Sequence, residues 1–212
     1  MDVNIKERYR KLADKIIKGL KSRNMQGYYA ETKEEALALA LELIPEGSSI
    51  SWGGATSAHE IGLTEAVING NYVVYNRDAV DDFEEKRKIS IQAMDCDFFL
   101  ASTNAITEDG ILVNIDGMSN RVAAIAFGPR NVLMIVGMNK VARDVDAAVS
   151  RARNIAAPIN AQRFPIETPC KVTGSCANCK SISTICCQFL ITRFSREKDR
   201  IKVILVNDNL GF

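Results

Sequence analysis

Histidine is nearly missing from this 212-residue sequence: His59 is the only one. No acid–base dyad built on an imidazole is therefore apparent, and any proton chemistry falls to other groups. Long apolar runs are missing too. Nothing approaches the ~18 residues needed to cross a bilayer, and the opening MDVNIKERYRKL is charged where a secretory signal would be apolar. These absences predict a cytoplasmic protein with no membrane span. An excess of either charge is also absent, with Lys plus Arg at 27 against 26 for Asp plus Glu. Bulk charge thus gives no reason to expect nucleic acid or a membrane surface as partner. Small anions stay open, because they need only local positive groups. There is no internal repeat, low-complexity tract or long linker, and neither a Walker loop nor a G-x-G-x-x-G motif.

The composition is that of a globular protein, 47% hydrophobic and 25% charged. A chain of this length hides roughly 70% of its unfolded surface, so a core is available without covalent staples. Ile5, Tyr9, Leu12, Ile16 and Leu20 recur at helical spacing. Thr32-Lys-Glu-Glu35 reads as a capping box before ALALALELI, which a Pro-Glu-Gly stop follows. SSISW reads as a strand, GGATSAHE as a turn into a helix with Ser57 and Glu60 at capping-box spacing, and YVVY as a strand after the Asn69-Gly70 break. DDFEEKRKISIQAM then suits a helix, DFFLAS a buried strand, and AITEDGILVN a hairpin turning at Asp109-Gly110. SNRVAAIAF is a short helix, NVLMIV a strand, ARDVDAAVSRARNIAA a helix ended by Pro158, and IKVILVND a final strand. Alternating strands and helices predict an α/β fold, a mostly parallel sheet flanked by helices. One domain over residues 1–212 is expected, with a cysteine-rich segment at about 169–187.

That segment, PCKVTGSCANCKSISTICC, holds five of the six cysteines. A reducing compartment disfavours structural disulfides, which turns attention to metal or redox chemistry. Cys176 and Cys179 can reach one metal from a tight turn, which Gly174 helps to form. Cys170 and either Cys186 or Cys187 complete a four-thiolate set, with one of the adjacent pair packing and the other ligating. Four thiolates suit an iron–sulfur cluster or zinc, and buried small hydrophobes are the plainer alternative. For Cys96, alone in MDCDFF, packing is the expectation.

Three loops follow strands. In GGATSAHE, Gly53 and Gly54 let a ligand come close to the backbone, Thr56 and Ser57 offer hydroxyls, and the helix start favours an anion. His59 borders this loop and is expected to face solvent. In NIDGMSNR, Asp116 and Gly117 precede Asn120 and Arg121, whose guanidinium suits a carboxylate or phosphate. In GMNK, Asn139 and Lys140 follow the NVLMIV strand. The plainer reading of each loop is an ordinary cap or surface pair. Ligands collect at the carboxyl ends of strands in open α/β sheets, so all three loops are expected to converge there.

GGATSAHEIG, LVNIDGMSNRVAAIAFGP, VGMNKVARDVDAAVSRARNIAAPINAQR and PCKVTGSCANC together resemble the LUD domain family, named for lactate utilisation. The resemblance spans nearly the whole chain and is closest to a subgroup with a C-terminal cysteine cluster. It implies a Rossmann-like sheet similar to the sugar-phosphate isomerase and CoA-transferase group. It also implies a redox-associated role in lactate or organic-acid metabolism beside iron–sulfur partners. On that reading Arg121 and Lys140 pair with a small anion, Gly53, Gly54 and Thr56 line its cradle, and Cys170, Cys176, Cys179 and Cys186 ligate an iron–sulfur cluster. The C-x2-C here lacks the fuller ferredoxin-like repeats of the family's iron–sulfur partner. An alternative is a sugar-phosphate isomerase-like or CoA-transferase-like enzyme with a structural zinc, in which Asp116 or Glu60 acts as general base. A third is a subunit whose thiol loop docks a redox protein partner. A homo-oligomer is compatible with all three.

Overall fold

The structure, a computed structural model, describes residues 1–212. In chain order its elements begin with α1 (Val3–Ser22), β1 (Gln26–Ala30), α2 (Lys33–Leu43), β2 (Ser49–Trp52), α3 (Thr56–Glu60) and α4 (Leu63–Asn69). Then follow β3 (Val73–Tyr75), α5 (Phe83–Gln92), β4 (Phe98–Ala101), β5 (Ala105–Thr107), β6 (Leu112–Asp116), α6 (Asn120–Ala126) and β7 (Asn131–Gly137). The chain finishes with β8 (Val141–Ala142), α7 (Val145–Arg151), α8 (Ala157–Ala161), α9 (Pro169–Thr173), β9 (Gln188–Thr192) and β10 (Ile201–Val206).

The central sheet has the order β1-β10-β7-β4-β2-β3, and every pairing in it is parallel. Its middle strands are buried on both faces, which is why they read as unbroken apolar runs. In β7, Val132, Met134 and Val136 enter one core while Leu133 and Ile135 enter the other. Neighbouring β10 repeats this, with Val203 and Leu205 on the first face and Ile204 and Val206 on the second. Ala13, Ile16 and Leu20 of α1 seal the first face, and Ala36 and Ala40 of α2 with Leu63 and Val67 of α4 seal the second. At the start of α2, Thr32 Oγ1 accepts from the Glu35 N–H at 3.2 Å, and the Glu35 carboxylate reaches back to the Glu31 N–H at 2.8 Å. The Thr32 half is the capping box that Thr32-Lys-Glu-Glu35 predicts, while the Glu35 carboxylate takes the N–H one residue before the one that motif uses.

Four differences from the sequence expectations matter. A second sheet, β8-β5-β6-β9, stands beside the first, and in it β6 pairs antiparallel with both β5 and β9. The predicted hairpin is the β5–β6 part of it, with Gly110 at φ +87° in the turn. The NIDGMSNR loop therefore leaves this second sheet, not the parallel one. Strands β1 and β9 were not expected; both are edge strands, half-buried or exposed along most of their length, without a buried strand's apolar run. Pro158 does not end its helix. A π turn over Ala152–Ala156 absorbs the missing N–H, and helix continues to Ala161. Finally, Ser57 and Glu60 form no capping box: Ala55 is the N-cap residue of α3, and Ser57 is fully buried.

Candidate functional site

The chain runs from β2 outward to β3, then returns to the other side of β2 as β4. That reversal leaves a crevice at the carboxyl ends of β2 and β4, where open α/β sheets take ligands. A cavity of about 490 Å³ opens there. Gly53, Gly54 and Thr56 enter it from the β2 loop, Ser102 to Asn104 from the β4 end, and Lys140 from the turn after β7. The second sheet closes one side with Asp116 and Gly117. All three loops singled out in the sequence thus meet at one cavity. Gly53 is a close-approach position: a Cβ there would lie 3.0 Å from Phe99 Cζ and 3.1 Å from Arg121 Cβ. The N–H groups of Gly53 and Gly54 donate to no acceptor in the protein.

Arg121 is less available than its sequence setting suggests. Its Nη1 donates to Asn114 Oδ1 at 2.6 Å and to the Ser102 carbonyl at 3.4 Å. Its Nη2 donates to Asn104 Oδ1 at 3.3 Å and to the Ile115 carbonyl, and its Nε lies 3.3 Å from Asp116 Oδ2. The two terminal nitrogens make four hydrogen bonds to protein acceptors, and Nε faces a carboxylate, so no side of the guanidinium is left over. Asp116 is equally committed, its Oδ1 accepting from the N–H groups of Met118 and Ser119 at 3.0 and 2.9 Å. The pair fixes the join between the two sheets, so it forms the floor of the cavity rather than a free anion clamp or a free base. Glu60 does not line the cavity; its Oε2 accepts from the Gly211 N–H at 2.8 Å. Asn139 also turns away, holding the Leu210 N–H at 3.1 Å. Exposed His59 lines the cavity and shares a 2.7 Å hydrogen bond with Thr64 through Nδ1.

Lys140 is only 3% exposed. Its Nζ donates to Ser57 Oγ at 3.0 Å and Ser102 Oγ at 2.9 Å, and it joins no ion pair. Burial, with the positive charges of Arg151 and Arg121 nearby, lowers its pKa to about 7. Ser102, Asn104 and Arg163 had no place in the sequence reading. Arg163 stands at the mouth, its guanidinium 5.8 Å from the ring centres of both Phe164 and Phe212 and 3.4 Å from Thr56 Oγ1. Arg77, brought in beside Asp78 by the Trp52 indole N–H (2.8 Å to Asp78 Oδ2), is the other cation on the rim.

A second cavity, of about 70 Å³, lies in the cysteine segment, and Cys170, Cys176, Cys179 and Cys186 all line it. Helix α9 carries Cys170 and ends at Gly174, φ +72°, which turns the chain toward Cys176. Asn178, at φ +49°, takes a 2.7 Å hydrogen bond from Arg153, whose guanidinium also reaches Cys176 Sγ at 3.9 Å. Burial and then the neighbouring thiols push the Cys186 thiol up to about 11. Cys187, the other member of the adjacent pair, is exposed and does not line this cavity. Cys96 is fully buried in the first core. No group of three or more His, Cys, Asp or Glu side chains is arranged to hold a metal ion. Ile185 lines both cavities and packs on Gly117, where a Cβ would come within 3.2 Å of the Ile185 Cα.

These features define an α/β protein with a polar strand-end cavity and a thiol-lined appendage. Residues 13–206 match the LUD domain, and the chain belongs to that family, which is associated in general with lactate utilisation. A crystal structure of a DUF162 family protein from Deinococcus radiodurans has the same fold, with a TM-score of 0.53 at 13% identity over 93% of this chain and 98% of that one. No curated protein matches the sequence. No helix is long and apolar enough to cross a membrane.

Proposed function

We propose that this LUD-domain protein is a redox-associated component of lactate or related organic-acid use. In this reading the strand-end cavity takes a small carboxylate and Cys170, Cys176, Cys179 and Cys186 hold an iron–sulfur cluster. The observation that carries it is the shared wall: one residue, Ile185, separates a cavity rimmed by cations from one lined by four thiols. With Arg121 committed to the floor, the carboxylate's charge is met by Arg163 and Arg77, and its oxygens by the unpartnered N–H groups of Gly53 and Gly54.

Four cysteine thiols are a donor set that suits an iron–sulfur cluster as well as zinc, and Cys170, Cys176, Cys179 and Cys186 line one small cavity. When bound, the cluster would supply one-electron transfer beside the carboxylate. Val172 and Ile182, both exposed on the cysteine segment, offer a redox partner apolar ground.

Protein purified without oxygen and reconstituted with iron and sulfide should contain both and show a broad visible absorbance. Cys176→Ser should lose it. Stoichiometric zinc with no iron uptake would replace the cluster by a structural site. L-Lactate binding, measured by calorimetry, should weaken about tenfold or more in Arg163→Ala, the loss of one charge-assisted contact; unchanged binding would remove the carboxylate from this cavity.

A further inference from the structure

Carboxylate binding leaves one arrangement in the cavity unused. A lysine ammonium is rarely buried without a counter-charge, because desolvation costs it several kcal/mol. Lys140 is buried, and its Nζ contacts are two serine hydroxyls, Ser57 and Ser102, themselves 3.3 Å apart. Of the two serines, Ser102 lines the cavity, while Ser57 is fully buried behind it. Gly211 lies over the amine so closely that a Cβ would come 3.1 Å from Nζ and 3.0 Å from Ser57 Oγ. An amine so shielded loses its proton near pH 7, well below the usual lysine range, and a neutral amine against a hydroxyl is a base against a nucleophile.

We propose that Ser102 and Lys140 form a nucleophile–base pair that hydrolyses an activated acyl group, an ester or thioester of a small organic acid, with Ser57 as a positioning residue. This rests on the carboxylate-cavity half of the reading above and is independent of the cysteines. Ser102 Oγ attacks the acyl carbon as its proton passes to Lys140 Nζ. The C–O or C–S bond breaks, and the departing alkoxide or thiolate takes that proton from Nζ. Water then attacks the acyl-Ser102, giving a proton to Nζ. The C–Oγ bond breaks, and Oγ recovers the proton from Nζ. The sum is ester or thioester plus water giving acid plus alcohol or thiol. Gly53 and Gly54 line the same cavity, and their N–H groups, which have no protein acceptor, are the donors proposed for the oxyanion. In the resting geometry Ser102 Oγ donates to the Ile135 carbonyl at 2.6 Å, so its proton must rotate to Nζ before attack.

A fluorophosphonate probe tests this, because it forms a stable adduct with an activated serine by expelling fluoride. Intact-mass and peptide mapping of the full chain at pH 8 should place one adduct on Ser102. Labelling should rise through pH 7 as Lys140 loses its proton, then level off. Ser102→Ala should abolish labelling. Lys140→Gln should slow it ~100-fold or more, the usual worth of a general base. Lys140→Arg, which keeps a cation that cannot deprotonate, should be equally silent and guards against a folding defect in the glutamine variant. Ser57→Ala, which removes one acceptor from the ammonium, should move the midpoint of the rate–pH profile downward with the circular dichroism spectrum unchanged. A folded wild type with no Ser102 adduct at pH 8 to 9 would overturn the proposal, as would Lys140→Arg labelling at the wild-type rate. L-Lactate binding to the same preparation reports on the carboxylate reading separately, and iron content on the cluster.

Discussion

The two cavities differ in how their polar groups are held. In the strand-end cavity nearly every polar side chain of the floor is bonded to protein: Arg121 to four acceptors and the Asp116 carboxylate, Asp116 to two N–H groups and a guanidinium, Asn104 to Arg121 and the Ile115 N–H. In the cysteine cavity only light tethers hold the thiols, such as the 3.3 Å contact of Thr168 Oγ1 with Cys170 Sγ. A floor this cross-linked is preorganised and stores its cost in folding. Four lightly tied thiols gain order when something binds them, as metal-coupled folding does. The contrast assigns stability to the first cavity, and on the proposed function it leaves the second to gain order from what it binds.

The sharpest way to break that contrast is Arg121→Ala. It leaves Asp116 without its cation and strips the acceptors at Asn114, Asn104, Ser102 and Ile115. Removing one partner of a buried pair costs about 3–5 kcal/mol, so urea unfolding should show a loss of that order, with metal uptake affected only through the fold. A loss under about 1 kcal/mol would mean that the floor is not the cross-link described.

Lys140→Met comes next, read as a pH dependence. The folded pKa of Lys140, about 7, lies below its unfolded value near 10.4. Between those values the unfolded chain binds the extra proton, so stability rises with pH. Below pH 7 both states are protonated and the penalty is fully present. The wild type should therefore gain on Lys140→Met by up to about 1.4 kcal/mol per pH unit from pH 7 toward 10, the worth of one proton. Parallel stability–pH curves would show that the lysine is charged in its buried setting.

How much of this was legible in the sequence follows from burial and separation along the chain. β7 and β10 were plain because both faces are buried and all but Asn131 and Lys202 are apolar or glycine. β1 and β9 escaped because edge strands alternate weakly and carry Gln and Tyr or Thr. The three cavity loops were visible through glycine beside polar residues after a strand. Ser102 carried the same positional signal, at the end of DFFLAS, without the glycine that drew notice. Arg163 carried none, since only the path of α8 brings it back to Thr56, 107 residues earlier. That Arg121 is spent on the floor could not be seen either, because its acceptors at 102 and 104 lie in the β4–β5 connection and those at 114 and 115 in β6, and only the fold brings them together. The four-cysteine grouping was legible because its members are neighbours in sequence. Which of Cys186 and Cys187 faces inward was not, as adjacent residues point apart and sequence does not fix the phase.

Gly117→Ala sharpens the comparison at the wall between the cavities. A methyl group there meets the Ile185 backbone at 3.2 Å, so the cysteine segment must give by a few tenths of an ångström. Overpacking of this kind costs ~1–3 kcal/mol where nothing yields. The lightly tied segment is the side that yields, so global stability should fall by about 1 kcal/mol or less while retained iron drops more clearly. Equal iron retention with the full stability loss would place the stiffness on the wrong side of the wall.

The smallest effect separates the adjacent cysteines. Cys187 is exposed, outside the thiol cavity, and its N–H holds the Asp116 carbonyl at 2.9 Å through backbone alone. Serine in its place keeps that backbone bond and removes no ligand. Cys187→Ser should change stability by no more than about 0.5 kcal/mol and leave reconstituted iron and sulfide at the wild-type level. Cys186→Ser removes a thiol from the cavity wall and should lose the visible absorbance. If the two variants behaved alike, or if Cys187 proved the one that matters, the inward phase at Cys186 would be wrong and the ligand set would have to be redrawn around its neighbour.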